Sequence, residues 1–218
     1  LGDFGAEIIK IEEPGSGDMT RVLAGPRIGD TCSYFHCVNR NKKSITLNLK
    51  HDLAKKVVFD LVAISDVVVE NFRPGVCDRL GIGYEALERV NPRIIYCAIS
   101  GYGSEGPRAL GPAYDPVIQA FSGNMSVTGV EGGPPCLSGI PIVDMLGGTT
   151  AVYAILAALF HRERTGEGGR IDTSLADNLL DWLVYLGQFY LVDGRIPGPV
   201  GSGHPTNFHR AFKCKDGK

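Results

Sequence analysis

Short apolar runs alternate with helical patterns along the first hundred residues. The runs at residues 6–12, 65–70 and 93–100 are rich in Ile and Val, and each passes into a loop that contains glycine or proline. Amphipathic helical spacing occupies residues 51–63 and 78–90 between them. Apolar strands joined by helices are typical of a parallel sheet covered by helices on both faces. The sequence therefore predicts an α/β, Rossmann-like fold whose strand-end loops gather at one sheet edge.

The two ends of the chain predict how it is divided into domains. The first twelve residues resemble the end of a helix running into a strand, so we expect the opening strand of the sheet to precede residue 1. After a long helical pattern at 175–192, residues 193–207 are rich in Gly and Pro without periodicity, which is typical of a linker. We predict a large domain over residues 1–192, truncated at its N-terminus, followed by a linker and the start of a smaller second domain over 193–218.

One acidic residue stands immediately before a long apolar segment. Asp144 is followed by Gly147 and Gly148, and then by an uncharged run over residues 149–160. This run is too short for a membrane span and predicts a buried core helix with Asp144 at its start. The helix dipole there favours an ionised carboxylate, and the glycines allow a ligand to approach the backbone. A helix N-cap and a reactive carboxylate both remain open from this stretch alone.

Composition and missing motifs exclude several classes of protein. The formal net charge is -2, which indicates neither a nucleic-acid-binding surface nor an acidic tail, and the run lengths predict no membrane segment. The six cysteines are scattered without zinc-type spacing, so we expect reduced thiols and no metal. No G-x-G-x-x-G follows a strand and no G-x-S-x-G occurs, so neither a dinucleotide site nor a hydrolase elbow is supported.

Six segments together resemble the class III CoA-transferase family, which includes formyl-CoA transferase, carnitine CoA-transferase and relatives of α-methylacyl-CoA racemase. They are IKIEEPGSGDMTR, NRNKKSITLNLK, VVVENFRPGVCDRLG, NPRIIYCAISGYGSEGP, PAYDPVIQAFSG, and Asp144 ahead of its apolar run with HRERTGEGGRID behind. The segments follow one another along essentially the whole chain. The resemblance implies the N-terminal half, or slightly more, of a two-domain protein about twice this size that forms an interlocked homodimer.

The resemblance gives Asp144 a chemical role. The matching aspartate of the family is the nucleophile that carries CoA from an acyl-CoA donor to a carboxylic acid, through a mixed anhydride and an aspartyl-CoA thioester. Acyl-CoA and small carboxylic acids, of a dicarboxylate type, are then the expected partners. Coenzyme A is a substrate, and no permanently bound cofactor is expected. A cytoplasmic location is expected, with an organelle matrix left open.

The family places CoA on motif positions that recur here. The matching residues are Leu47, Asn48, Leu49, Lys50, Asn71, Phe72, Arg73 and Arg79, with Tyr114 near the reacting centre. Glu13 departs from the pattern, because formyl-CoA transferase has an arginine there that contacts CoA. Lys10, Arg21 or the pair Lys42 and Lys43 are the expected substitutes. Pro112 replaces a lysine of formyl-CoA transferase, which disfavours formate–oxalate exchange.

Two alternatives to a transferase remain open. Racemase relatives carry a histidine at the position of Tyr114, and a tyrosine, whose pKa is about 10 in water, is a poor acid–base substitute. None of the five histidines falls at that position; His204 lies near the predicted linker, either as a pocket residue or as an ordinary loop residue. The other alternative is an inactive CoA-binding homologue or fragment.

Overall fold

The computed structural model describes residues 1–216, which form two compact units. The first contains residues 1–65 and 77–91, and the second contains residues 66–76 and the chain from residue 92 onward. Each unit has its own parallel strand pairing. The α/β class and the parallel pairing are therefore confirmed, but the pairing is divided over two sheets instead of one. The boundary at residue 193 stays a prediction.

The first unit is built on two parallel strands. β1 (Ile8–Glu12) pairs with β4 (Lys42–Thr46), with Ile8 opposite Lys42 and Glu12 opposite Thr46. Between residues 13 and 91 the chain also forms β2 (Arg27–Ile28), β3 (Thr31–Cys32), α1 (Ser33–Asn39), α2 (Asp52–Ala63), α3 (Val76–Leu80) and α4 (Tyr84–Val90). This arrangement brings the loop after β1 beside the turn after β4, because the strands run in the same direction.

The second unit is built on three parallel strands in the order β5 (Val67–Glu70), β6 (Ile95–Ser100) and β7 (Gly169–Ser174). The central strand is the most buried, and Ile95 and Cys97 expose none of their surface. The helices of this unit are α5 (Asp115–Ser122), α6 (Asn124–Val127), α7 (Ile142–Thr165), α8 (Leu175–Trp182) and α9 (Tyr185–Asp193).

A buried cluster joins three of these helices. Ile118 of α5, Val143 and Leu146 of α7, and Leu175 and Leu179 of α8 pack together. Burying each such side chain contributes roughly 1.5–3 kcal/mol. Since Ile118 and Val143 lie near the first residues of α5 and α7, the cluster holds the N-terminal ends of these two helices side by side.

Helix α7 is twice as long as the uncharged apolar run at residues 149–160 from which it was predicted. It has 24 residues and packs on β6 and β7. By length and composition alone it is long enough to cross a membrane, so the expectation of a run too short to do so is wrong. The helix contacts the sheet, but only 28% of its apolar stretch is buried among the described residues, less than in the buried core helix that was expected. Met145, Tyr153, Leu156 and Phe160 expose an apolar face.

Three other predicted elements differ from the structure. The helix expected over 78–90 is divided because Gly81 adopts a φ of 74° and Gly83 begins a new helix. The helix expected over 175–192 is divided at Val184, whose φ is 47°. The alternation of Ile45, Leu47 and Leu49 favours a strand that continues to Leu49, but strand β4 ends at Thr46.

Candidate active site

Asp144 is the third residue of α7, and its side chain is exposed to solvent. Pro141 occupies the N-cap position, and its side chain makes no capping hydrogen bond. Asp144 is therefore inside the first turn and is not the N-cap that one interpretation predicted. The first turn of a helix carries backbone N–H groups without intrahelical partners, which favour an anion nearby.

A second acid supplies the missing cap. Oδ2 of Asp115, the first residue of α5, accepts hydrogen bonds from the backbone N–H of Val143 at 2.8 Å and of Asp144 at 3.3 Å. Asp115 is not among the site residues that the sequence predicted. Asp115 followed by Pro116 is a typical helix start, which could have located α5, but a contact across 28 residues leaves no local signal.

The environment of Asp144 raises the pKa of its carboxyl group. The larger cause is partial desolvation by the protein atoms around the carboxyl group, which remains open to solvent on one side, and the negative charge of Asp115 adds to it. Both influences oppose the effect of the helix terminus, which the sequence suggested would favour ionisation. A carboxylate with a raised pKa is the stronger base and nucleophile once it has lost its proton.

The two glycines after Asp144 have different surroundings. A Cβ atom at Gly147 would lie 2.3 Å from Cδ2 of Leu175, so this glycine permits the close contact between α7 and α8. A Cβ atom at Gly148 would meet nothing within 4 Å. Gly148 lies four residues after Asp144 and therefore on the same helix face. It leaves open space beside the carboxylate.

The loop after β5 holds three of the residues expected to contact CoA. Nδ2 of Asn71 donates to the backbone oxygen of Ile99 at 2.6 Å, which ties the loop to the end of β6. The backbone N–H of Phe72 donates to Oε2 of Glu70 at 2.7 Å. Arg73 is exposed, and no ion-pair partner for it lies within residues 1–216. The loop is fixed by its backbone and leaves one cation available.

The other expected CoA residues belong to the first unit. Leu47, Asn48, Leu49 and Lys50 form a turn directly after β4, in which Oδ1 of Asn48 accepts from the backbone N–H of Lys50 at 3.1 Å. The side chains of Lys50 and Arg79 are exposed, and neither forms an ion pair among the described residues. The assignment of these residues to CoA stays a prediction.

The cations proposed to compensate for Glu13 are already engaged. Arg21 donates two hydrogen bonds of 2.8 Å to Glu12, and Lys10 pairs with Asp18 at 2.5 Å. Lys43 pairs with Glu7, also at 2.5 Å. Nζ of Lys42 donates to the backbone oxygen of Val38 and to Oδ1 of Asn39. These side chains hold the protein together, so the expectation that they replace the arginine is not supported.

Three further positions from the sequence analysis, Tyr114, Pro112 and His204, lie in the second unit. Tyr114 is the N-cap residue of α5, directly before Asp115, and its side chain is exposed. The backbone oxygen of Pro112 accepts a hydrogen bond from the hydroxyl of Tyr102 at 3.4 Å. His204 instead lies against α9, where its Nε2 is 2.9 Å from the hydroxyl of Tyr185. The structure therefore brings Tyr114, but not His204, to the helix start that carries Asp115.

Metal-binding residues do not converge in the part of the chain that the structure describes. No group of three or more His, Cys, Asp or Glu side chains there is placed to hold a metal ion. None of the six cysteines forms a disulfide bond within the described residues. The absence of a metal from the reaction stays a prediction.

Comparison with known proteins gives the class to which this fold and site belong. The family model described as CoA-transferase family III matches residues 1–218. The chain belongs to CoA-transferase family III, which confirms the resemblance carried by the six sequence segments.

Individual relatives agree with this assignment. The acetyl-CoA:oxalate CoA-transferase of Acetobacter aceti is 47% identical over 206 residues, which cover 94% of this chain and 53% of the relative. The succinyl-CoA:glutarate CoA-transferase of Mus musculus is 42% identical over 218 residues, covering 100% of this chain and 50% of the relative. The chain thus spans about half the length of the curated relatives it matches.

A solved structure shows the same fold. The crystal structure of a CaiB/BaiF family protein from Brucella suis superposes with a TM-score of 0.91 at 38% identity. The match covers 99% of this chain and 58% of that one. The α/β architecture described above is therefore the architecture of the corresponding part of a CaiB/BaiF protein.

Proposed function

We propose that the full-length protein transfers CoA from an acyl-CoA donor to a carboxylic acid acceptor, with Asp144 as the nucleophile. The observation that carries this proposal is the position of Asp144: an exposed carboxylate in the first turn of α7, beside open space at Gly148. Its raised pKa and the family membership of the chain support the same assignment.

The first half of the reaction removes CoA from the donor. A carboxylate oxygen of Asp144 attacks the thioester carbonyl carbon, the C–S bond breaks, and the products are a mixed aspartyl-acyl anhydride and CoA thiolate. The thiolate then attacks the aspartyl carbonyl carbon of the anhydride. The C–O bond breaks, which releases the donor acid as a carboxylate and leaves an aspartyl-CoA thioester. No proton is gained or lost.

The second half repeats these steps in reverse order. The acceptor carboxylate attacks the aspartyl-CoA carbonyl and displaces CoA thiolate, which gives a new anhydride. The thiolate attacks the acceptor's carbonyl carbon in that anhydride, forms the product acyl-CoA and restores the carboxylate of Asp144. Each intermediate stays activated for acyl transfer, so covalent catalysis divides the exchange into smaller steps without losing the acyl group to water.

Exposed cations without protein partners are suited to the phosphates of CoA. Lys50, Arg73 and Arg79 are exposed and form no ion pair within residues 1–216, whereas most neighbouring basic residues are paired. A guanidinium or ammonium group in this condition can bind a phosphate without first breaking an internal contact. We propose Lys50 and Arg79 of the first unit, and Arg73 of the second, each as a candidate contact for a CoA phosphate.

The names of the relatives suggest the class of acceptor. The two relatives described above are named for oxalate and glutarate. A third relative, from Haloarcula marismortui, is 38% identical and is named a succinyl-CoA:mesaconate CoA-transferase. All three acids are small dicarboxylates. We therefore propose a small dicarboxylic acid as acceptor, and an acyl-CoA of similarly small size as donor.

Exposed apolar surface supports association with a second copy in the full-length protein. Tyr153, Leu156 and Phe160 on α7 are each more than half exposed, and Leu191 and Val192 on α9 are 73% and 80% exposed. Surfaces of this kind are usually covered by another protein surface. We propose that the full-length protein is a homodimer, the state that the family resemblance implies.

The experiment that tests the function uses the full-length protein with succinyl-CoA and a panel of dicarboxylic acids. We expect CoA transfer by the wild type and none by an Asp144→Asn variant. Asp193→Asn is a matched control, because Asp193 is also an exposed aspartate; its Oδ1 accepts a hydrogen bond from the backbone N–H of Arg195 at 3.0 Å. Deuterium incorporation at the α-carbon of a 2-methylacyl-CoA, without CoA transfer, would instead establish a racemase.

A further inference from the structure

The carboxylate of Asp115 acts on Asp144 through the backbone of α7. We propose that Asp115 is a positioning residue: it fixes the first turn of α7 so that the Asp144 carboxylate is held in the orientation needed to attack a thioester. This inference rests on the proposed role of Asp144 as the nucleophile.

The geometry of the first turn requires a cap from elsewhere in the chain. Pro141, the N-cap residue of α7, has no side-chain acceptor for the N–H groups of the first turn. Oδ2 of Asp115 accepts from two of them, those of Val143 and Asp144. A capping acceptor is typically worth about 1 kcal/mol of helix stability. Here one of the two bonded groups is the backbone of the nucleophile, so the cap also determines the position of its Cα atom.

Asp115 is itself held by a buried polar network. Its other oxygen, Oδ1, accepts from Nε2 of Gln119 at 2.5 Å, and Gln119 is only 1% exposed. Oε1 of Gln119 accepts from the backbone N–H of Ser138 at 2.9 Å and from Nδ2 of Asn124 at 3.1 Å. Both carboxylate oxygens of Asp115 are therefore committed. The network also fixes the segment that leads into α7.

Apolar packing prevents the two helix starts from separating. Ile118, one turn after Asp115, and Val143, directly before Asp144, belong to the same buried cluster and expose none of their surface. A reactive group held by locked neighbours on helices is positioned more accurately than one on a loop. Asp115 thus joins a rigid α5 to the one turn of α7 where the chemistry is proposed.

The negative charge of Asp115 raises the pKa of Asp144, so replacing Asp115 should change the pH dependence of the reaction as well as its rate. In the part of the chain that the structure describes, Asp115 is the charged group that raises the pKa of Asp144, in addition to partial desolvation. An asparagine at position 115 keeps one oxygen acceptor for the two N–H groups, removes the charge and gives up the hydrogen bond from Gln119. An alanine removes the acceptors and the charge.

The test compares Asp115→Asn and Asp115→Ala in the full-length enzyme. We expect Asp115→Ala to lower kcat by about 100-fold, the usual cost of a displacement of about 1 Å, and to change KM for acyl-CoA much less. Asp115→Asn should keep at least a tenth of kcat, because it still caps the turn. In the Asp115→Asn variant, kcat/KM should begin to fall at a lower pH than in the wild type, because loss of the neighbouring negative charge lowers the pKa of Asp144.

Two outcomes would overturn the inference: wild-type kcat in Asp115→Ala, or a kcat/KM that begins to fall at the wild-type pH in a folded Asp115→Asn variant. If the alanine variant does not fold, the asparagine variant alone decides. Asp144→Asn is assayed in parallel. Activity in that variant would reject the nucleophile itself, whereas an inactive Asp144→Asn with a normal Asp115→Ala would reject only the positioning role.

Discussion

Gly147 lies so close to Leu175 that an added methyl group would be 2.3 Å from Cδ2 of the leucine. Leu175 is the first residue of α8 and belongs to the buried cluster that also holds Val143. The contact therefore sets how closely α8 approaches the turn that carries Asp144. Gly148, the next residue, has no such neighbour.

Alanine substitutions should separate these two glycines. Gly147→Ala is expected to lower the free energy of unfolding by about 1–3 kcal/mol, because it overpacks the contact with Leu175. Gly148→Ala should leave it unchanged or raise it by up to about 1 kcal/mol, because alanine favours a helix and the space is open. Urea denaturation of both full-length variants measures the difference. Equal effects would mean that α7 and α8 do not approach as described.

Removing an unpaired cation should weaken CoA binding. For Lys50→Gln, Arg73→Gln and Arg79→Gln we expect KM for acyl-CoA to rise by about 10–100-fold each, since a hydrogen bond to a charged group is lost. The value of kcat should change little, because these residues do not touch the reacting atoms. Initial-rate kinetics at fixed ionic strength gives both constants.

A matched control is Lys43→Gln, which removes a cation that already pairs with Glu7. We expect its KM to remain within about twofold of the wild type, as for a surface ion pair. If Lys43→Gln raised KM as much as Arg73→Gln, general charge attraction would explain binding and the assignment of specific phosphate contacts would be wrong.

The buried carboxylate of Glu12 should contribute to stability in a pH-dependent way. Two hydrogen bonds from Arg21 are the main reason that the pKa of Glu12 is lowered from 4.5 to about 2. A lowered pKa means that the stabilisation is present above the unfolded value of 4.5 and is lost as the pH falls toward 2. Glu12→Gln should therefore lower the free energy of unfolding at neutral pH by about 1.5–3 kcal/mol.

Denaturation at neutral pH and at about pH 3 checks this expectation, because the difference between variant and wild type should be smaller in acid. Glu7→Gln is the control: the Glu7 side chain is 67% exposed in its pair with Lys43, so its effect should be much smaller than that of Glu12→Gln. A Glu12→Gln variant as stable as Glu7→Gln would contradict the described ion pair.

Replacing Val184 by glycine should stabilise the protein. The φ of 47° and ψ of -121° at Val184 are rarely adopted by a β-branched residue and cost roughly 1–3 kcal/mol. We expect Val184→Gly to raise the thermal midpoint of the full-length protein. Val192→Gly, within α9, should lower it slightly because glycine disfavours a helix. The opposite order would show that no strain resides at the junction of α8 and α9.

The strands and the shorter helices were predictable because their signal is local. The apolar runs of β5 and β6 and the spacing in α2 locate these elements to within about two residues, as is usual for element boundaries. Gly81 also offered a visible reason for the break between α3 and α4. Nothing in the sequence around Val184 marks a break, since the apolar pattern continues through it and valine, although a weaker helix former than leucine, does not break a helix as glycine or proline does.

The candidate site was predictable only in part, because some of its contacts join residues that are far apart in the sequence. Asp144 could be singled out because it directly precedes an apolar helix. The cap from Asp115 depends on how α5 packs against α7, which no local pattern records. The pairing of Lys10 and Arg21 with acids, which removes them from the list of CoA contacts, likewise depends on the fold.

Chemical trapping of the acylated aspartate tests the central claim most directly. Full-length wild type is incubated with succinyl-CoA and hydroxylamine, digested, and analysed by peptide mass spectrometry. We predict a hydroxamate on Asp144, formed only when acyl-CoA is present, and none on Asp115 or in an Asp144→Asn variant. Rapid CoA transfer with an unmodified Asp144, or with Asp144 replaced by asparagine, would contradict the account.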